Sequence, residues 1–323
     1  MKIRRASRIG VVVVAVACLT LCGAQTACAQ VKLQYKFPEG KTLRYRTNWN
    51  AYQTVTNMGQ ELQSSERKTV IWTQSIGNRR SDATLPVAMK VESLHVELRI
   101  QGGIDLKFDS KKPDAKIDDP DLALVLDPYK VESATAYTVV LDKEDKVKAI
   151  EGMEALREKA GKLDAIAREQ IRGRIEADRL ETQFEQEHRN LPDTPTKPGQ
   201  WWERTEVIDY GAQPLCFHKK YEYAGTEKRG GKTLDKIGIK VLDVTCLPPD
   251  ADAATPLKIT KSNLKVESSE GTILFDRERG CLVEFRERTK LKGTITSSGA
   301  GTDTSSPIDL NLQTTIQLLA GGR

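Results

Sequence analysis

MEALREKAGKLDAIAREQIRGRIEADRLETQFEQEHRNLPDTPTKPGQWW, residues 153–202, divides the chain and decides how the rest is read. Apolar or small residues recur near a 3.6-residue period at Met153, Leu156, Ala160, Leu163, Ala167, Ile171, Leu180 and Phe184, which lays an apolar stripe along an α-helix. The remaining surface is charged, with nine acidic and eight basic residues between Met153 and Asn190. Opposite charges such as Glu158 and Lys162, or Glu176 and Arg179, fall within one helical turn, so this is a solvated face rather than a binding patch. Unbroken, such a helix would run roughly 57 Å, about twice the width of a five- or six-stranded sheet. Gly161 and Gly173 are the expected break points, each costing about 1 kcal/mol relative to Ala, and Pro192, Pro195 and Pro198 forbid continuation.

On both sides the period changes to two. Leu43, Tyr45, Thr47 and Trp49 alternate with Arg44, Arg46 and Asn48; Val70 and Trp72 follow a turn at Met58-Gly59-Gln60; Ile104, Leu106 and Phe108 follow Gly102-Gly103. In Leu85–Ile100 the apolar parity switches near Ser93-Leu94, where a bulge would restore one buried face. The stretch from Lys111 to Pro128 reads as a polar, proline-bearing loop around the short apolar LALVL, and its aspartates lack the ligand spacing of a calcium loop. YTVVLDKEDKVKAIE and GTILFDRERGCLVEF share an order of apolar strand, Asp, charged turn and apolar strand, one in each half of the chain. Ile308 to Leu318 alternates as a closing strand. The fold class expected is therefore mainly β (α+β): two tandem curved antiparallel sheets linked by a long, kinked amphipathic helix. The divisions are a signal peptide over 1–29, an N-terminal β half over 30–152, the helix and Pro-rich linker over 153–197, and a C-terminal β half over 198–323.

The first residues carry Lys2, Arg4, Arg5 and Arg8, an apolar run from Ile9 to Leu21, and Ala27-Cys28-Ala29, which reads as a secretory signal cleaved after Ala29. The run is too short to span a bilayer. A lipid anchor at Cys18 leaves too short an apolar core, and one at Cys22 places the bulky Leu21 beside the cysteine. Without the leader the formal charge of +5 drops to about +1, so nothing basic enough remains to attract nucleic acid. The protein is expected to be exported, periplasmic or extracellular, with no transmembrane span in the mature chain.

Three cysteines follow the leader: Cys216, Cys246 and Cys281. Pairing residues across Arg229-Gly230-Gly231 so that Tyr221 faces Val241, Tyr223 faces Ile239, Glu222 faces Lys240 and Lys219 faces Asp243 puts Cys216 opposite Cys246, a structural disulfide candidate. Cys281 is expected to be a small core residue. The three histidines, His95, His188 and His218, have no ligand or catalytic neighbours at useful spacing. No nucleophile elbow, phosphate loop, dinucleotide fingerprint or CxxC occurs, so no catalytic, cofactor-binding or metal residue is assigned. Trp201 and Trp202 are the candidate ligand-contact aromatics.

With LPDTPTKPGQWW, the long hairpins and GTILFDRERGCLVEF, the chain resembles a family of uncharacterised secreted bacterial proteins, two-part and β-rich. That resemblance implies no activity or cofactor. The layout is also similar to periplasmic lipoprotein-carrier folds, which implies a curved sheet cupping an apolar ligand. The functional expectation is a non-enzymatic binding or structural module of the cell envelope; the alternatives are a carrier of a lipid or lipoprotein, and a hydrolase with a carboxylate site. The expected partner is an envelope protein or an apolar ligand.

Overall fold

The computed structural model describes residues 30–57, 59–112, 120–210, 213–248, 258–299 and 302–320. The expected signal peptide over 1–29 and the aspartates between 113 and 119 lie outside these. Among the described residues twelve strands build one antiparallel sheet: β1 Thr42–Asn57, β2 Gln60–Ile76, β3 Leu85–Ile100, β4 Ile104–Asp109, β5 Ala136–Leu141, β6 Val147–Glu151, β7 Trp201–Tyr210, β8 Gln213–Arg229, β9 Lys232–Cys246, β10 Lys258–Asp276, β11 Cys281–Gly299 and β12 Thr302–Leu318. Their spatial order is β6-β5-β3-β2-β1-β12-β11-β10-β9-β8-β7, with β4 beside β3.

The mainly β, antiparallel class stands, but two tandem sheets do not. The closing strand β12 inserts between β1 and β11, and pairs with β1 from Tyr45↔Leu318 to Val55↔Ile308. Alternation sets which face of a strand is buried but is silent about which strand lies beside it, so the seam was invisible in sequence. The parity switch in β3 is real: Ile71 faces Ser93 and Trp72 faces Val91, leaving Glu92 as the extra residue of a bulge. The two similar hairpins both form, β5–β6 and β10–β11, turning at Asp145 and Gly280, each with positive φ.

The single long helix is replaced by short pieces: α2 Glu154–Gly161, α3 Ala165–Gln170, α4 Arg172–Ile175 and α5 Ala177–His188, following α1 Pro120–Ser133 in the stretch expected to be a loop. Gly161 ends α2 as expected, whereas Gly173 lies inside α4; the later breaks fall at Ile171, between α3 and α4, and at Glu176, which has extended backbone. Asp164 starts α3 by accepting a hydrogen bond from the Ala167 backbone N–H, so side-chain capping competes with continuation. The pieces share a small core of Val131, Met153, Leu156, Ala160, Ile171 and Leu180. The i,i+4 pair Lys162–Glu158 forms on the outside as read, and the i,i+3 pair Arg179–Glu176 also forms, part-buried.

The cover closes a strongly bent sheet. Glu287 on β11 and Lys219 on β8 are three strand spacings apart, about 14 Å in a flat sheet, yet their charged atoms meet at 2.9 Å. At one edge Phe184 of α5 packs with Leu85, Val87, Val139 and Leu141. At the other, Gln186 accepts from the Val207 backbone N–H of β7 (2.9 Å), and Arg204 donates to the carbonyls of Arg189 and Leu191. One helix thus reaches both edges of the sheet, where unpaired strands would otherwise be open. A strap over residues 31–37, bridged at Val31↔Thr196 and bonded from Lys36 N–H to Gly280 O, completes the cover. Among the described residues no helix is long and apolar enough to cross a membrane.

Candidate functional site

Strand parity builds the site. Leu43, Tyr45, Thr47, Trp49 and Ala51 of β1 share one face, and Ile316, Thr314 and Leu312 of β12 stand opposite Thr47, Trp49 and Ala51. Glu66, Lys68, Val70 and Trp72 extend this face on β2, and Leu215, Phe217, Lys219 and Tyr221 on β8. Between them and the cover lies a cavity of about 1080 Å³, just above the roughly 300–1,000 Å³ common for small-molecule sites.

The cavity is apolar at both ends. Under the strap, Tyr35, Phe37, Tyr45, Trp72, Leu282 and Phe285 close it. Tyr45 and Trp72 stack with centroids 4.7 Å apart, and the Trp72 indole donates to Thr47 Oγ1 at 3.0 Å. At the other end Ile100, Val125, Ile166, Val207 and Ile208 line the cavity and are also exposed, which marks the mouth.

A belt of charge crosses the middle. Lys68, Trp49, Thr314 and Glu287 form one row across adjacent strands. At its first end Lys68 Nζ donates to both oxygens of Glu132 on α1 (3.2 and 3.4 Å), Arg174 of α4 lies 3.7 Å from the same carboxylate, and Tyr129 OH donates to Glu66 at 3.0 Å. Burial pushes the Glu132 carboxyl up, but Lys68 and Arg174 outweigh it and hold the group below its ordinary range. Glu66 is the reverse case: burial raises it, and Lys68 and Tyr129 only partly offset that.

At the other end of the row Lys219, 1 % exposed, is ion-paired to Glu206 on β7 and Glu287 on β11. Burial alone would lower its ammonium; the two carboxylates outweigh that and hold it above its ordinary range. Burial raises Glu287, and also Glu187 on α5, which accepts from Gln183 at 2.9 Å. His188 stacks on Phe184 (4.1 Å) and meets Tyr35 edge-on (4.6 Å). Its Nδ1 lies 2.7 Å from the Phe184 carbonyl, which can only accept, so that nitrogen carries a proton. Burial lowers the ring to about 4, leaving it neutral at neutral pH.

Several sequence expectations fail here for identifiable reasons. Gly230 and Gly231 both take positive φ, which makes a two-residue hairpin turn closed by Arg229↔Lys232. The register is therefore one residue tighter than the one that aligned the cysteines, and a bulge near Ala224 tightens it again: Tyr221 faces Ile239 and Lys219 faces Val241. Cys216 faces Thr245 and Cys246 faces Leu215, so the two thiols lie on opposite faces, and both are free. Lys219 is accordingly no cross-strand partner of Asp243; it sits in the inward row between Phe217 and Tyr221. Trp201 is 57 % exposed with Lys220 over its ring, and Trp202 stacks on Tyr221 while donating to the Asn190 carbonyl; neither lines the cavity. The aromatic lining comes instead from Trp49, Trp72, Tyr45 and Phe217, whose signal was alternation within their own strands. Cys281 is buried in the core as expected, its thiol pushed up by burial. Among the described residues no group of three or more His, Cys, Asp or Glu is arranged to hold a metal ion.

Residues 82–230 match the model of a family of unknown function, DUF6263. No curated protein matches the sequence. Among solved structures, lipovitellin, in a study of its lipid–protein interactions, is similar over 88 % of this chain at 8 % identity with a TM-score of 0.42. The chain spans about a quarter, 26 %, of that much longer protein. An outer membrane channel from Pseudomonas putida F1 covers 90 % of this chain and 100 % of its own at 7 % identity, with a TM-score of 0.21. A putative outer membrane lipoprotein-sorting protein domain from Vibrio parahaemolyticus covers 87 % of each chain at 9 % identity, with a TM-score of 0.13.

Proposed function

We propose that the protein is a non-enzymatic binding protein that encloses an apolar small molecule between its bent sheet and helical cover. The observation that carries this is the cavity of about 1080 Å³, with aromatic and aliphatic walls at both ends. Protein interiors pack with few voids larger than a water molecule, so an apolar space of this size is either filled in use or a standing loss of contact energy. The mouth residues Ile100, Val125, Ile166, Val207 and Ile208 give an apolar ligand a continuous path inward. The basic and apolar sequence before Gln30 reads as an export signal, which supports a carrier in the cell envelope or beyond.

The test is uptake of N-phenyl-1-naphthylamine, an uncharged fluorophore that brightens in apolar surroundings, by protein delipidated under mild denaturation and refolded. Saturable enhancement near one probe per chain is expected. Refolded protein that gives no enhancement would remove this reading and return the fold to a purely structural or interaction role.

A further inference from the structure

Taking the cavity as a binding site, we propose that its ligand carries a hydrogen-bond-donating group without negative charge, an alcohol, amide or protonated amine, seated at the belt, and that anionic amphiphiles are rejected. The arrangement of charge leads there, and an unpartnered buried hydroxyl marks a polar position beside it.

The belt is rich in acceptors and already spends its cations. Five carboxyl groups reach it from five elements: Glu66 from β2, Glu132 from α1, Glu187 from α5, Glu206 from β7 and Glu287 from β11. Three cations answer them, and each is engaged: Lys68 and Arg174 on Glu132, and Lys219 between Glu206 and Glu287. The other charged groups of the lining look elsewhere. Lys36 donates to Glu278 O, Arg179 to Glu176, and Lys90 and Asp178 are exposed. At the belt an incoming carboxylate or phosphate would meet, among the described residues, carboxylates and cations already paired with them; Lys90, the lining cation with no ion pair given, is exposed and held in water. A buried charge without a partner is among the costliest things a site can hold. An incoming O–H or N–H would meet acceptors.

Thr135, 7 % exposed and lining the cavity just past the end of α1, has a buried Oγ1 with no hydrogen-bond partner among the described residues. Buried hydroxyls are rarely left so, and this one, able to donate or to accept, marks a polar ligand group there without choosing its sign; that choice rests on the carboxylates. Apolar walls on both sides of the belt place the donor within the ligand's length or at the foot of one apolar arm, rather than in the mouth.

The experiment displaces bound N-phenyl-1-naphthylamine with three ligands of one chain length, decanol, decylamine and decanoate, at neutral pH. Decanol and decylamine are expected to displace it at about tenfold lower concentration than decanoate. Decylamine stronger than decanol identifies an ammonium as the favoured group; equal strength identifies a neutral donor. Decanoate equal to or stronger than decanol overturns the inference, while the bound probe keeps the cavity reading intact; absence of probe binding overturns both. Glu187→Gln, on the cover, where the carboxylate accepts from Gln183, is expected to narrow the decanol–decanoate gap by about threefold. An unchanged gap in that variant, with Glu66→Gln also unchanged, would show that the belt does not set the preference.

Discussion

Lys219 concentrates the electrostatics of the interior in one residue. It stands in an inward row of Leu215, Phe217, Tyr221 and Tyr223, desolvated, and is stabilised chiefly by its ion pairs to Glu206 and Glu287, with the Phe217 ring centroid 5.6 Å from its Nζ. Removing one partner of such a cluster leaves uncompensated buried charge, so Lys219→Ala is expected to cost about 3–5 kcal/mol in urea unfolding. A change under about 1 kcal/mol would mean that the carboxylates are solvated or neutral without it. His188 gives a pH signature of known sign. Its pKa falls from 6.5 to about 4 on folding because it is buried, so the unfolded chain takes up the proton first as pH drops. Stability from this group is present above pH 6.5 and is lost between there and about 4, by roughly 3 kcal/mol. Burial raises Glu66, Glu187 and Glu287, so these act oppositely: the folded state holds their protons more tightly, and they favour it as pH falls above the ordinary carboxylate range. The clean readout is therefore the difference between wild type and His188→Leu, which should grow on going from pH 4 to 6.5 in favour of the wild type. A pH-independent difference would contradict the neutral, buried ring.

At the scale of elements, most of what the sequence could say was about faces, and most of what it could not say was about neighbours. The period of two in β1, β3 and β12, the bulge in β3 and the hairpins β5–β6 and β10–β11 were legible because each is a local property of alternation and turn residues. The β1–β12 seam was not legible, since its partners are separated by most of the chain. The β8–β9 register failed on a turn one residue shorter than assumed, and with it the disulfide; the Gly230-Gly231 pair was the available signal. Thiol titration of the denatured, unreduced chain from Gln30 onward should find Cys216, Cys246 and Cys281 all free. One free thiol would restore the bridge. The cavity residues Trp49, Trp72 and Lys68 were visible only as members of alternating strands, because a strand pattern does not reveal whether its buried face meets a packed core or an open space. Close approach of backbones is testable at Gly293, where an added Cβ would fall 1.9 Å from the Asn263 carbonyl oxygen of β10. Gly293→Ala is expected to sit at or above the upper end of about 1–3 kcal/mol destabilisation in urea unfolding, from forced backbone shift. A neutral substitution there would mean that β10 and β11 are further apart.

For the whole molecule, one sheet is bent until its edge strands β6 and β7 come under a common helical cover, and the space enclosed is left unfilled by its own side chains. α5 is the fastening, with Phe184 in the β3–β5 core and Gln186 on β7. In the binding role proposed above, the aromatic and aliphatic ends would hold ligand by area, and the belt between them would select by charge and hydrogen bonding. The most direct test of the central claim fills the cavity from its floor. Thr314 faces inward from the middle of β12, half-buried between Trp49 and Glu287. Thr314→Phe should therefore place a ring in the binding space without disturbing the ladder. Probe titration is predicted to show uptake weakened by about tenfold or more, with the circular dichroism spectrum and unfolding midpoint of the wild type retained. Undiminished uptake in a folded Thr314→Phe protein would contradict the account.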